Sequence, residues 1–131
     1  MNLLIDTSAY SALQKGSMPI KKILENADQI YIPTIVIAEL KAGFAFGANM
    51  TVNESLLDKF TSDSAVSVVN IDESTPNIFA ELYAQLRNKG RAIAQNDLWI
   101  ASLALQYQLP LLTLDVGFAS IKQLELATAN C

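Results

Sequence analysis

The chain opens with Asn2-Leu3-Leu4-Ile5-Asp6-Thr7-Ser8. Residues 2–5 are typical of a short buried strand, and Thr7 or Ser8 can cap a helix that runs toward Lys15. Gly16 is well suited to end that helix. A strand that passes directly into a helix is the first half of a β-α-β unit, so this segment predicts a parallel sheet covered by helices.

The same alternation continues along the rest of the chain. Helical spacing of apolar residues predicts helices around Ile20, from Pro33 to about Phe44, and over 53–61, 74–89 and 96–106. Apolar runs predict further strands over 29–32, 65–71, 110–114 and 123–128, the last at a sheet edge. No repeat or long linker interrupts the 131 residues. We therefore expect one α/β domain over 1–131, with a central parallel sheet flanked by helices.

The composition excludes several classes of active site. The chain has no histidine, and its one cysteine is Cys131 at the end. Histidine-dependent nucleophilic catalysis, histidine zinc sites and an internal disulfide are therefore ruled out. The net charge of −4 argues against nucleic-acid binding through bulk positive charge. Acid–base or metal chemistry must depend mostly on the 13 aspartates and glutamates.

The chain carries no sign of export or membrane insertion. The N-terminal apolar run lacks a basic region and stops at Asp6, unlike a signal peptide. The longest uncharged stretch, 98–114, contains polar residues and a proline and is shorter than the about 20 residues that span a bilayer. We expect a soluble, cytoplasmic protein without membrane contact.

Four carboxylates lie against apolar runs: Asp6, Glu39, Asp97 and Asp115. An ionised carboxylate in such a setting is costly unless it is paired or bound to metal. Asp6 and Asp115 follow predicted strands, at the sheet edge where open parallel sheets bind ligands. Asp97 and Glu39 lie near helix starts that face this edge. Four converging acids would repel one another, and Mg²⁺ or Mn²⁺ would relieve that repulsion.

Each acid also has a structural interpretation. Asp6 is suited to cap a helix, and Asp97 to complement the dipole of a first helical turn. Asp115 is an ordinary turn residue by position. Glu39 has no cap to make inside a helix, but it could pair with Lys41 or point to solvent.

Four motifs follow one another in a characteristic order. An apolar strand ends in Asp-Thr-Ser, a helix carries Ala-Glu-Leu, Asn-Asp precedes an apolar helix, and a strand ends near Thr, Asp and Phe. They are Leu4-Ile5-Asp6-Thr7-Ser8, Ile37-Ala38-Glu39-Leu40-Lys41-Ala42-Gly43, Gln95-Asn96-Asp97-Leu98-Trp99-Ile100-Ala101 and Leu112-Thr113-Leu114-Asp115-Val116-Gly117-Phe118. With this set the chain resembles the PIN-domain ribonucleases, and among them the VapC toxins of bacterial toxin–antitoxin pairs. It departs from many relatives at Leu114 and Gly117, where they carry Asn and a further acid.

The resemblance implies a fold, a reaction and partners. The fold is a parallel sheet of strand order 3-2-1-4-5, and the reaction is metal-dependent hydrolysis of RNA phosphodiester bonds with Mg²⁺ or Mn²⁺ as cofactor. Asp6 and Asp97 are then direct ligands, and Glu39 is a ligand through water or a general base. Asp115 completes a second metal site or holds a metal-bound water. The implied partners are RNA, an antitoxin protein and a second copy of the chain.

Other side chains have two interpretations each. Thr7, Ser8 and Thr113 are suited either to orient water and phosphate or simply to cap and brace turns. Arg87, Lys89 and Arg91 either grip phosphate or complement a helix C-terminus. The segment 42–47 and the helix of Trp99 are candidates either for partner surfaces or for the core, and for Trp99 we favour the core.

Two further functions fit the same residues. A housekeeping RNA-processing nuclease with this fold would be harmless when overexpressed and would have no neighbouring antitoxin gene. A non-catalytic interaction module would keep the fold without binding metal.

Overall fold

The computed structural model describes residues 1–127. Five parallel strands form one sheet in the order β3-β2-β1-β4-β5. The predicted α/β class and strand order are therefore confirmed. The strands are β1 (Asn2–Ile5), β2 (Gln29–Pro33), β3 (Val66–Val69), β4 (Leu111–Leu112) and β5 (Leu126–Ala127).

Six α-helices connect and cover the strands. They are α1 (Thr7–Gln14), α2 (Met18–Glu25), α3 (Thr34–Ala45), α4 (Met50–Thr61), α5 (Thr75–Asn88) and α6 (Gln95–Gln106). A short 3₁₀ helix, Val116–Ser120, follows β4. Gly16 and Gly90 end α1 and α5 with positive φ angles of 90° and 66°, which glycine adopts without steric cost. None of the helices within 1–127 combines the length and apolar character that a bilayer crossing requires.

The core lies on both sides of the central strand. Leu3, Leu4 and Ile5 of β1 are fully buried, as are Leu111 and Leu112 of β4. Helix α6 adds Ile100 and Leu103. A strand that is buried on both faces consists of consecutive apolar residues, which are visible in the sequence. The predicted bounds of β1 therefore match the observed ones.

Some predicted bounds are wrong at the ends of elements. The strand predicted over 65–71 is only Val66–Val69, and the one predicted over 110–114 is only Leu111–Leu112. Helix α4 begins at Met50 rather than at residue 53. The last strand is Leu126–Ala127, and the predicted end at Thr128 lies outside the described residues, as does Cys131.

The register of the sheet places the C-terminal ends of two neighbouring strands side by side. Ile5 of β1 pairs with Leu112 of β4. The residues that follow, Asp6 and Thr113, therefore leave neighbouring strands at the same edge. This edge is where parallel α/β sheets bind ligands.

Candidate active site

Asp6 is held rigidly at the end of β1. Its side chain is only 3% exposed. Oδ1 accepts hydrogen bonds from the Ala9 backbone N–H at 2.9 Å and from Ser8 Oγ at 2.7 Å, and Oδ2 accepts one from Thr113 Oγ1. Asp6 is therefore the N-cap of α1, and the same bonds orient its carboxylate at the sheet edge.

Burial and hydrogen bonding act on Asp6 in opposite directions. Burial raises the pKa of the carboxyl, the three hydrogen bonds oppose that rise, and the negative charge of Asp115 adds to it. The net pKa lies above the ordinary value of 3.8. The hydrogen bonds thus offset only part of the free-energy cost of ionising Asp6 in its buried position.

Two hydroxyl groups connect Asp6 to the turn after β4. Ser8 Oγ accepts the Leu114 N–H at 2.9 Å, and Thr113 Oγ1 accepts the Asp115 N–H at 2.9 Å. The two hydroxyl oxygens lie 3.3 Å apart. Ser8 and Thr113 therefore do brace a turn, and the protons that they donate to Asp6 also fix its carboxylate.

Glu39 reaches the same edge from α3. It is half-buried, and its Oε1 accepts a hydrogen bond from Thr7 Oγ1 at 2.7 Å. Within residues 1–127 the one ion pair joins the N-terminal ammonium to Asp28, so Glu39 is not paired with Lys41 there. Thr7 therefore connects Glu39 to the end of β1.

Asp97 lies in the first turn of α6 and is half-buried. Its pKa rises from 3.8 to about 6, first because of burial and then because of the charges of Asp115, Glu39 and Asp6. One carboxyl thus responds to three others that are distant in sequence. The structure brings all four predicted acids into one electrostatic environment.

Asp115 is the exposed member of the group. Its Oδ1 accepts the Gly117 N–H at 2.8 Å and so caps the 3₁₀ helix that follows β4. A Cβ atom at residue 117 would lie 3.1 Å from this Oδ1. The glycine at position 117 therefore leaves room for the Asp115 carboxylate in its capping position.

Comparison with known proteins assigns this arrangement to a family. The PIN domain matches residues 3–124 of the chain. A ribonuclease VapC of Rickettsia bellii is 32% identical over 136 aligned positions, which cover 98% of this chain and 96% of the relative.

The chain is a PIN-domain protein of the VapC family.

Two other comparisons extend this result. Ribonuclease VapC5 of Mycobacterium tuberculosis is 27% identical over 117 residues, covering 89% of this chain and 85% of that protein. The structure of VapBC2 from Rickettsia felis bound to a promoter DNA fragment superposes with a TM-score of 0.84. The identity in that case is 28%, with 98% of each chain covered.

The oxygen donors of this PIN domain fit a hydrated hard cation better than a closed protein cage. Among residues 1–127, no three acidic, histidine or cysteine side chains stand close enough together to hold one ion. Mg²⁺ usually keeps several waters and takes one or two carboxylates together with substrate phosphates. The mutual repulsion visible at Asp97 is what such a cation would relieve.

The basic residues at the C-terminal end of α5 and just after it lie in two different places on the PIN domain. Arg87 is in the last helical turn, where a positive charge complements the helix dipole, as one of its two interpretations expected. Lys89 and Arg91 line an open cavity together with Lys122. Sequence reasoning missed Lys122 because it stands alone after the 3₁₀ helix, and no local pattern connects it to residue 89.

The aromatic candidates divide between surface and interior. Phe46 is 94% exposed, whereas Phe44 packs against the core. Trp99 is half-buried and stacks on Phe79 of α5, with ring centroids 4.0 Å apart. The core placement favoured for Trp99 is therefore wrong, because Leu98 and the residues after 99 fill the interior while Trp99 turns toward α5.

Proposed function

We propose that this PIN domain is an endoribonuclease that acts as the toxin of a toxin–antitoxin pair. The observation that carries the proposal is geometric: Asp6 leaves β1 beside Thr113 at the ligand-binding edge of the sheet, and Thr7 connects Glu39 to the same place. The raised pKa of Asp97, whose causes after burial include the charges of the other three acids, agrees with this convergence. The names of the relatives, ribonucleases of the VapC family, support the same substrate class. An enzyme with this substrate would act in the cytoplasm.

The proposed cofactor is Mg²⁺ or Mn²⁺. Asp6 and Asp97 would bind it directly, and Asp115 would complete a second site. When bound, such a cation lowers the pKa of water and neutralises charge that develops on the phosphate. Asp6 is suited to this role because three hydrogen bonds hold its carboxylate in one orientation before the cation arrives.

Glu39 is the proposed general base. Thr7 donates to its Oε1, so Oε2 is left to accept a proton from the attacking water. The water oxygen forms a new bond to phosphorus while the bond from phosphorus to the leaving ribose oxygen breaks. The products are a phosphate monoester on one fragment and a hydroxyl group on the other, which takes up the proton.

The proposed partners are an antitoxin chain and a second copy of this chain. Apolar side chains that a monomer leaves in water support both. Phe46 is 94% exposed and Val116 is 88% exposed, and they lie on different parts of the surface. The solved VapBC complex supports the antitoxin in particular, since there the family toxin is found together with its antitoxin.

The decisive experiment compares Asp6→Asn with the wild type on single-stranded RNA. We expect cleavage with Mg²⁺ or Mn²⁺ and none with EDTA. The variant should lose at least about 100-fold in activity, more than is lost when a residue that only orients a metal ligand is removed. Expression without an antitoxin should arrest growth, and the variant should not.

Glu81→Gln is a matched control, because Glu81 is an exposed acid on α5 outside the group. It should cut RNA at the wild-type rate. Wild-type activity in Asp6→Asn would contradict the nuclease assignment. Metal-dependent cleavage without growth arrest would keep the nuclease and contradict the toxin role.

A further inference from the structure

A basic groove lies between the connection that leads to Asp97 and the segment that follows Asp115. One wall is formed by Lys89, Arg91 and Ala92, in the connection between α5 and α6. The other wall is the segment from Val116 to Lys122, and the groove has a volume of about 590 Å³. No acidic side chain within residues 1–127 lines it.

The charge of this groove is unusual for the molecule. The chain has 13 acidic and 9 basic residues, yet three of the basic ones line this single groove. The one ion pair within residues 1–127 involves the N-terminal ammonium, so these three side chains are not neutralised by carboxylates of the described chain. The groove therefore concentrates positive charge, which attracts anions, in a protein whose net charge is −4.

Both walls of the groove continue into the acidic site. The first wall leads directly into α6, whose first turn carries Asp97. The second wall begins after Asp115, which accepts the N–H of Gly117, a lining residue. A polymer whose phosphate reacts at these acids would pass directly into the groove.

We propose that the basic groove binds the sugar-phosphate backbone of single-stranded RNA on one side of the bond to be cut, with Lys89, Arg91 and Lys122 contacting phosphates. The inference rests on the proposed nuclease function and assigns the path of its substrate. Positive grooves that follow the backbone are the usual means of holding single strands. An acidic protein segment also carries negative charge. We favour RNA because its backbone continues on both sides of the phosphate that reacts at the acids, and one of these sides would enter the groove.

The test is the triple variant Lys89→Gln/Arg91→Gln/Lys122→Gln. Binding of a fluorescent 20-nucleotide single-stranded RNA is measured by anisotropy in EDTA over a range of salt concentrations. Each phosphate contact adds about 0.7 to the slope of log K against log salt for single strands. Three lost contacts should reduce the slope by about 2 and weaken binding about 100-fold at 0.1 M salt.

The matched control is Lys21→Gln/Lys22→Gln/Lys59→Gln. It removes the same charge from α2 and α4, and Lys21 lies near β3, at the edge of the sheet farthest from β5. This control should keep the wild-type salt slope. In cleavage with Mn²⁺, the groove variant should show a higher KM with kcat within about twofold of the wild type, because its acids are intact.

The outcomes separate the groove from the nuclease. If the groove variant keeps the RNA affinity and the salt slope of the wild type, the groove proposal is overturned. This holds even if Asp6→Asn abolishes cleavage and the nuclease proposal stands. If the groove variant binds RNA like the wild type but loses affinity for an acidic peptide, the groove is reassigned to a protein partner. Groove-dependent RNA binding without any cleavage supports the groove and overturns the nuclease. Absence of RNA binding by the wild type overturns the groove as well.

Discussion

Asp6 and Asp97 are two members of the proposed site, and the fold accommodates them in different ways. Asp6 is buried, and its carboxylate accepts three hydrogen bonds that offset part of the cost of burial. Asp97 is half-exposed, and no hydrogen bond opposes the burial and the three negative charges that raise its pKa to about 6. The hydrogen bonds of Asp6 therefore hold the start of α1 and the turn after β4 as well as the proposed site, whereas Asp97 makes no such bonds among the described residues and costs stability for the sake of the site.

The largest stability effect should come from Asp6→Ala. This change removes the N-cap of α1 and leaves the hydroxyls of Ser8 and Thr113 without their shared acceptor. We expect the free energy of unfolding to fall by about 1–2 kcal/mol in urea denaturation. Glu81→Ala, at an exposed helical position, should change it far less, and equal losses in the two variants would show that the cap bonds of Asp6 add nothing.

A smaller loss is expected from Thr113→Val. The side chain keeps its shape but can no longer donate to Asp6 or accept the Asp115 N–H. Stability should fall by about 1 kcal/mol, the low end of the range for two lost hydrogen bonds. Cleavage should fall by about 10-fold, the low end of the range for a residue that orients a metal ligand. Unchanged cleavage together with lost stability would limit Thr113 to bracing the turn.

Added Mg²⁺ should separate the intact site from its variants. A ligand present at about ten times its Kd stabilises the folded state by about 1.4 kcal/mol. The wild type should therefore melt at a higher temperature with Mg²⁺ than with EDTA. Asp6→Asn and Asp97→Asn should lose this shift, whereas Glu81→Gln should keep it. An equal shift in all four proteins would indicate nonspecific ion effects rather than a site.

The smallest effect, and one of opposite sign, is expected from Asp97→Asn without divalent ions. Removing the repelled charge should raise stability at pH 7.5 by less than about 1 kcal/mol, because solvent screens a half-exposed carboxylate. The native carboxyl has a pKa of about 6 against 3.8 for the unfolded chain, so it binds more protons in the native state between these values. Its contribution to stability therefore falls as the pH rises through this window.

The measurement is the difference in unfolding free energy between the wild type and Asp97→Asn at pH 4 and pH 7.5. Taking the difference cancels the carboxyls that both proteins share. The advantage of the variant should be larger at pH 7.5 than at pH 4. An advantage that does not depend on pH would show that Asp97 is not repelled by its neighbours.

Local pattern predicted the elements well where burial and capping act over neighbouring residues. The bounds of β1 follow from a run that is buried on both faces, and Gly16 and Gly90 end helices because they adopt positive φ. Pattern failed at β3, where the predicted strand extends to Ile71 but pairing ends at Val69. β3 pairs only with β2 at the edge of the sheet, so Val68 is 43% exposed.

The residues of the candidate site were predictable in part, because a feature of the local sequence marks each acid. An acid beside an apolar run is visible in the sequence, and so the residues Asp6, Glu39, Asp97 and Asp115 stand out. Their hydrogen-bond partners do not, because Thr113 is 107 residues from Asp6. The wrong placement of Trp99 has the same origin, since a helix that is apolar nearly all round does not reveal which side meets its neighbour.

The sequence by itself determined the class of fold and the ends of several helices, and it singled out four carboxylates that lie beside apolar runs. Only the tertiary structure decided that β1 and β4 are neighbours in a register that sets Thr113 against Asp6, and that Lys122 faces Lys89 and Arg91. The physical reason is range. Backbone preferences act over a few residues of chain, whereas hydrogen bonds and charge interactions act over a few ångströms of space, whatever the separation in sequence.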